Sequence, residues 1–170
     1  GVLEPVYHFQ IKGGSIPGIS PDRRYICYSR GEDIGVLDVE KGEVVAARPV
    51  GSSLTWPGLR FNPTGTKIAS QDHTPLKVWD FLSGERLIDM PKRGFPHGGF
   101  RFVSDSHLLI SGKALFDIGN QLVIWNYEGA AAAEEFGEYC CFVAGGSSGS
   151  SGLIILERIP QQVVTDTLAG

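Results

Sequence analysis

Short apolar, β-prone runs alternate along this chain with clusters of Pro, Gly, Asp and Asn. Tyr25-Ile26-Cys27-Tyr28, Lys67-Ile68-Ala69-Ser70 and His107-Leu108-Leu109-Ile110 each follow a turn, at Ser20-Pro21-Asp22, Asn62-Pro63-Thr64-Gly65 and Ser104-Asp105. Pro presets φ, Asp and Asn bond nearby backbone, and Gly tolerates positive φ, so these are turns with a mechanism. Ser20, Asn62 and Ser104 are spaced 42 residues apart. After a loop, each unit gives a second apolar run closed by aspartate: Val36-Leu37-Asp38, Val78-Trp79-Asp80 and Leu115-Phe116-Asp117. Those aspartates lie 42 and 37 residues apart. Glu40-Lys41-Gly42-Glu43, Leu82-Ser83-Gly84-Glu85 and Gly119-Asn120 then turn the chain into Val44-Val45-Ala46, Arg86-Leu87-Ile88 and Leu122-Val123-Ile124-Trp125.

Each unit therefore reads as four antiparallel strands in series. A period of about 40 to 45 residues with an aromatic-Asp ending marks a propeller blade. The expected fold is all-β, with about three and a half blades. They fall at residues 15–49, 54–90 and 95–127, with a partial unit at 139–159. Val6-Tyr7-His8-Phe9 completes an upstream blade or forms an edge. Ala130 to Ala133 with Glu134-Glu135 reads equally as one helical turn or a flexible loop. Gly145 to Gly152 reads as a long hairpin loop. Residues 161–170 lose periodicity and read as a linker or tail.

The second unit resembles a WD repeat. Gly58 to Gly65 matches the first strand and turn, Ser70-Gln71-Asp72-His73-Thr74 the Ser-x-Asp turn, and Leu76-Lys77-Val78-Trp79-Asp80 the signature strand. Leu37 and Phe116 hold the Trp place in the looser units. The resemblance implies a tetrad of Asp, His, Ser and Trp that ties strands together. Asp72, Ser70 and Trp79 fit three roles in the second unit, but no His occurs between Val50 and Trp56. His97 is suitably placed before the third unit, which lacks the matching Asp. Such degeneracy is similar to that of bacterial WD-like repeats. Leu37 to Val44 also resembles the Asp-x-x-x-Gly turn of quinoprotein-type propellers, which share the architecture.

The chain has 170 residues, 42% hydrophobic and 20% charged, with 23 Gly and 10 Pro. This composition suits a turn-rich soluble domain. Propellers close with four to eight blades. The expectation is an excised piece of a larger bacterial protein, its open sheets covered by missing blades, self-association or a partner. No apolar run reaches the length of a membrane span. The cytoplasm is favoured, with localisation otherwise left open. Net charge is −4 and no basic stripe exists, which argues against nucleic acid. Cys27, Cys140 and Cys141 form no disulfide framework and no metal-ligand spacing.

No acid/base pair appears. Asp72-His73-Thr74 reads as a turn rather than a catalytic cluster. Trp79 and Trp125 read as core residues. Trp56 and His97 precede successive first strands, and Arg60 and Arg101 hold equivalent places within them, 41 residues apart. These four are the candidate binding residues at a rim. Asp38, Ser70, Asp72, Trp79, Asp80, Phe116 and Asp117 form the structural blade signature. The expected function is a noncatalytic scaffold that binds a protein or peptide through rim loops, with no cofactor or metal. The alternative is the propeller portion of a quinoprotein-type or hydrolase-associated enzyme whose active residues lie outside this chain.

Overall fold

A computed structural model describes residues 17–30, 32–49, 58–71, 76–90, 99–127, 130–136, 139–144 and 153–158. The first sheet holds β1 (Gly18–Ile19), β2 (Tyr25–Arg30), β3 (Asp33–Asp38) and β4 (Glu43–Pro49). The second holds β5 (Gly58–Phe61), β6 (Lys67–Gln71), β7 (Lys77–Asp80) and β8 (Arg86–Asp89). The third holds β9 (Phe100–Phe102), β10 (His107–Ile110), β11 (Ala114–Asp117) and β12 (Leu122–Asn126). In each, consecutive strands pair antiparallel in chain order, which is the blade of a β-propeller. A three-stranded sheet follows, from β13 (Ala130–Phe136), β14 (Tyr139–Ala144) and β15 (Leu153–Arg158).

The register superimposes the three blades residue by residue. Ile26 pairs with Leu37, Ile68 with Trp79, and Leu108 with Phe116. Leu37 and Phe116 thus stand in the place of Trp79. Each blade also carries a β-bulge at one height between its third and fourth strands, after Val36, Val78 and Leu115. Val45, Leu87 and Ile124 are the extra residues that the bulges insert.

The alternation of side chains across each strand gives every blade two apolar faces. Cys27, Ile34 and Val36 of the first blade pack against Leu59, Phe61, Ile68 and Trp79 of the second. The other face of the second blade, with Ala69, Val78 and Ile88, packs against Phe100, Phe102, Leu108, Ile110 and Phe116 of the third. Val103, Leu109, Leu115, Ile124 and Tyr127 form a cluster on the far face of the third blade. Burying a Leu, Ile or Phe side chain contributes about 1.5–3 kcal/mol. These interfaces therefore outweigh any exposed ion pair, which contributes about 1 kcal/mol or less. Cys27 is a fully buried apolar filler, and burial pushes its thiol up to about 12.

Two expectations are corrected. Ala130 to Glu135 is neither a helical turn nor a loop but most of β13, which pairs along its length with β14. Alanine and glutamate have weak β preference, and pairing with a neighbouring strand overrides it. Trp125 is not core: it is 40% exposed on the outer strand of its blade. The bulge supplies the reason, since Ile124 and Tyr127 take the buried places instead. Val6–Phe9, the 145–152 loop and the 161–170 tail lie outside the described residues.

Glycine has a steric role at two places in the first blade. A Cβ on Gly35 would stand 2.6 Å from the ring of Tyr28, its cross-strand partner. A Cβ on Gly18 would stand 2.6 Å from Cys27 Sγ and 2.7 Å from the Leu59 carbonyl oxygen. Gly18→Ala is therefore expected to destabilise by about 1–3 kcal/mol, read from urea unfolding midpoints. The opposite sign is expected at Gln121. Gly42 and Gly84 take φ of 68° and 74° four residues after the signature aspartates, and Gln121 takes 56° at the same place. Gln121→Gly should stabilise by about 0.5–1 kcal/mol in the same measurement, because it relieves the left-handed cost.

Candidate functional site

The turn joining a blade's first two strands and the turn joining its last two lie at one end of the sheet. The amides of Val39, Phe81 and Ile118 donate to the carbonyls of Arg24, Thr66 and Ser106, tying the two turns together in each blade. This end forms one rim. At the other end of the third blade, Ser111 to Lys113 join the second and third strands.

The signature aspartates build the first rim. Asp38 Oδ1 accepts the amides of Glu40 and Lys41 at 3.0 and 3.1 Å. Asp80 Oδ1 accepts the amide and hydroxyl of Ser83, both at 2.8 Å. Asp117 Oδ1 accepts the amide of Asn120 at 2.6 Å and its side-chain amide at 2.9 Å. A short acceptor that bonds backbone two or three residues onward is the local chemistry that closes such a turn. Burial pushes the Asp38 carboxyl up, but the Lys41 amide and the Arg24 guanidinium outweigh it and hold it below the usual range. The Ser83 amide and hydroxyl hold Asp80 down in the same way. Arg24 Nη2 lies 3.1 Å from Asp38 Oδ2.

Neighbouring blades are also linked along this rim. Asp105 Oδ1 accepts Asn62 Nδ2 at 2.7 Å, Thr64 Oγ1 at 2.9 Å and the Thr64 amide at 3.1 Å, joining the third blade's turn to the second's. Phe81 in the second blade stands between Tyr25 and Phe61, with ring centroids 5.0 and 5.5 Å away. The sequence signals Asp105 only as a turn residue. Its position in the third unit's copy of the Asn62 turn is the clue to its role.

Inside this rim, the innermost strands β1, β5 and β9 run side by side and line a groove of about 670 Å³. Arg60 and Arg101 both line it, with Ile19, Phe61 and Phe100. Register explains why both arginines line it: Arg60 pairs with Ala69 and Arg101 with Leu109, the same place in each blade. Gly18 holds that place in the first blade, where no side chain fits. Arg60 Nη1 donates to the Leu59 carbonyl at 2.9 Å. Asn62, Pro63 and Pro21 also line the groove, at the turn-bearing end. Trp56, His97 and Asp72 lie outside the described residues. Trp56 and His97 precede in sequence the strands that carry Arg60 and Arg101. Ser70 and Trp79 are buried within the second blade, as blade-signature residues.

A second group is buried beneath the rim of the third blade. His107, paired across strands with Asp117, is 8% exposed. Its Nδ1 lies 2.9 Å from Ser104 Oγ, and its Nε2 lies 3.3 Å from Asp117 Oδ2 without an aligned hydrogen bond. Ser104 Oγ also accepts the Ser106 amide at 3.2 Å. Desolvation lowers the His107 pKa, and the nearby Asp117 charge only partly offsets it. Sequence gave no prominence to His107, which occupies the strand place held by Tyr25 and Lys67 in the other blades.

No protein-family model and no curated protein sequence matches the chain. Solved structures do match in fold. A hydrazine synthase of Kuenenia stuttgartiensis aligns at TM-score 0.57 and 14% identity, over 95% of this chain and 50% of that one. A eukaryotic initiation factor aligns at TM-score 0.60 and 15% identity, over 92% and 43%. The β-propeller domain of Myceliophteria thermophila Cps50 (Swd1) aligns at TM-score 0.57 and 13% identity, over 85% and 57%. The chain thus spans about half the length of these proteins. Together with the four-stranded sheets and their repeated register, the matches establish a β-propeller fold. No helix among the described residues is long and apolar enough to cross a membrane.

The buried imidazole makes a prediction about pH. Its folded-state pKa is depressed, so its stabilising effect is complete above the ordinary histidine range near 6.5 and is lost as pH falls below it. The urea midpoint is expected to fall between pH 7.5 and about 5.5, where Asp carboxylates remain ionised. His107→Gln should flatten that fall. Equal slopes for the two proteins would assign the pH dependence to other groups.

Proposed function

We propose that this chain is a noncatalytic binding module whose blades present a protein or peptide site at the axis of the propeller. The observation that carries the reading is the groove lined by equivalent residues of successive blades, Arg60 and Arg101, together with apolar side chains. Pockets with a few converging polar groups on an apolar wall suit ligand recognition. The strands that supply them are anchored by apolar packing, Leu59 and Phe61 against the first blade and Phe100 and Phe102 against the second, so the site is held ready before a ligand arrives. The propeller fold admits many functions, and the site rather than the fold argues for this one.

An enzymatic reading would look first to Ser104, His107 and Asp117. Each of these bonds is used within its own turn, and the imidazole is buried. Such an arrangement supports a bracing role better than a nucleophile presented to substrate.

Panning a random peptide library on the chain, followed by hydrogen exchange with the selected peptides, tests the proposal. Slowed exchange is expected at Ile19, Arg60 to Asn62 and Phe100 to Phe102. Binding that leaves these amides unchanged and is abolished by Trp56→Ala would move the site to Trp56. Selection of no peptide at all would count against a peptide-binding role.

A further inference from the structure

We infer that His107 is a proton-operated switch of the turn-bearing rim: its protonation reverses the hydrogen bond to Ser104, draws Asp117 off the Asn120 turn, and so reshapes the cleft between the second and third blades. That cleft, of about 410 Å³, is lined by Asp105, Ser106, Asp117 and Asn120 of the third blade and by Lys67 and Leu87 of the second. The device lies in the fold itself and operates whether or not a peptide occupies the axial groove.

The neutral state follows from the neighbours of the two ring nitrogens. Nε2 stands 3.3 Å from Asp117 Oδ2. A bare lone pair facing a carboxylate oxygen is repelled, so the proton of the neutral ring sits on Nε2. Nδ1 is then an acceptor, and the Ser104 hydroxyl, 2.9 Å away, donates to it. The same hydroxyl oxygen accepts the Ser106 amide at 3.2 Å. The Nε2 hydrogen is buried without an aligned partner, which leaves the neutral arrangement one bond short.

The second proton goes to Nδ1. That nitrogen becomes a donor, and the Ser104 hydroxyl hydrogen loses its acceptor. The ring is now a buried cation, which is destabilising unless it is paired. Asp117 Oδ2 is within reach, and closing that contact moves the carboxylate whose Oδ1 holds the Asn120 amide and side chain at 2.6 and 2.9 Å. The two altered turns are tied together, because the Ile118 amide donates to the Ser106 carbonyl at 2.9 Å. Between Ser104 and Ser106 lies Asp105, whose Oδ1 holds Asn62 and Thr64 of the second blade. The change therefore reaches both walls of the cleft.

Among the described residues, the surrounding charges leave the pairing to Asp117. β10 lies between β9 and β11. Asp117 faces the imidazole from β11. On β9, Arg101 pairs with Leu109 and lines the axial groove. Asp105 is directed to the second blade, and Lys67 of β6 lines the cleft. Desolvation keeps the ring neutral at pH 7.5 and places its titration below the ordinary range near 6.5. Tyr25 and Lys67 hold the place of His107 in the first and second blades, so the switch belongs to the third.

The test is an NMR titration of the whole chain from pH 7.5 to about 5.5, where Asp carboxylates stay ionised. The His107 imidazole should titrate, and the Ser106 and Asn120 amide resonances should shift with the same midpoint. Hydrogen-exchange protection of those two amides should fall roughly tenfold, the scale of one lost hydrogen bond. The Lys41 and Ser83 amides, held by Asp38 and Asp80 in the other blades, should keep theirs. His107→Gln should abolish the response of Ser106 and Asn120. If that variant does not fold, His107→Tyr, which copies the first blade, serves the same purpose. Ser104→Ala should remove the Ser106 response and retain that of Asn120. An imidazole that titrates while both amides keep their shifts and protection overturns the inference. So does an imidazole that stays neutral to pH 5.5 in the folded protein, or an amide response that persists in His107→Gln. A fall in protection shared equally by Lys41 and Ser83 marks global destabilisation and overturns it as well.

Discussion

Packing of blade against blade is the constraint on which the rest of this structure depends. A four-stranded sheet with two apolar faces cannot leave either in water without losing the burial that holds it together. The second blade shows both halves of the solution: Trp79 and Ile68 lie toward the first blade, while Val78 and Ala69 lie toward the third. Adjacent residues of one strand therefore belong to different interfaces. This fixes the register, because a slip of one residue would exchange the two sets. It also fixes where the innermost strands run, and hence which groove Arg60 and Arg101 line.

Polar groups act on this frame locally. The aspartates at the ends of the signature strands close turns, and Asp105 reaches across to the turn of the preceding blade. None of them replaces apolar packing as the main source of stability. They determine which turn conformation the packed strands adopt, and thereby the shape of one rim. Arg60 and Arg101 differ in kind: their place on successive strands positions charge at a groove rather than closing a turn.

Much of the fold was legible because a blade repeats its chemistry. The spacing of Asp38, Asp80 and Asp117 marks equivalent turns, and the apolar residues before them mark equivalent strands. The relation of Arg60 to Arg101 was legible for the same reason. What a single unit's pattern does not contain is its neighbour. Nothing in its own unit's pattern marks Gly18, whose role appears only with the Leu59 carbonyl against it. Asp105 reads as a turn residue until Asn62 and Thr64 are seen to share its oxygen. Trp125 reads as core because aromatic residues in apolar strands usually are, yet the bulge assigns the inward place to Ile124. In β13, strand pairing prevails over the modest local preferences of Ala and Glu.

The bulges also affect how these sheets meet other chains. The outermost strands offer backbone edges, and on β4 this edge carries the exposed side chains of Val44 and Val45. A flat strand of that kind is a template for further strand addition. Because every blade inserts its extra residue at the same height, each outer strand is bent and more strongly twisted there. β4 then ends at Pro49, which has no amide hydrogen to donate. An incoming strand would lose alignment after a few residues. The irregularity that shapes each blade thus limits its growth into a continuous intermolecular sheet, giving the repeated bulge a place in solubility as well as architecture.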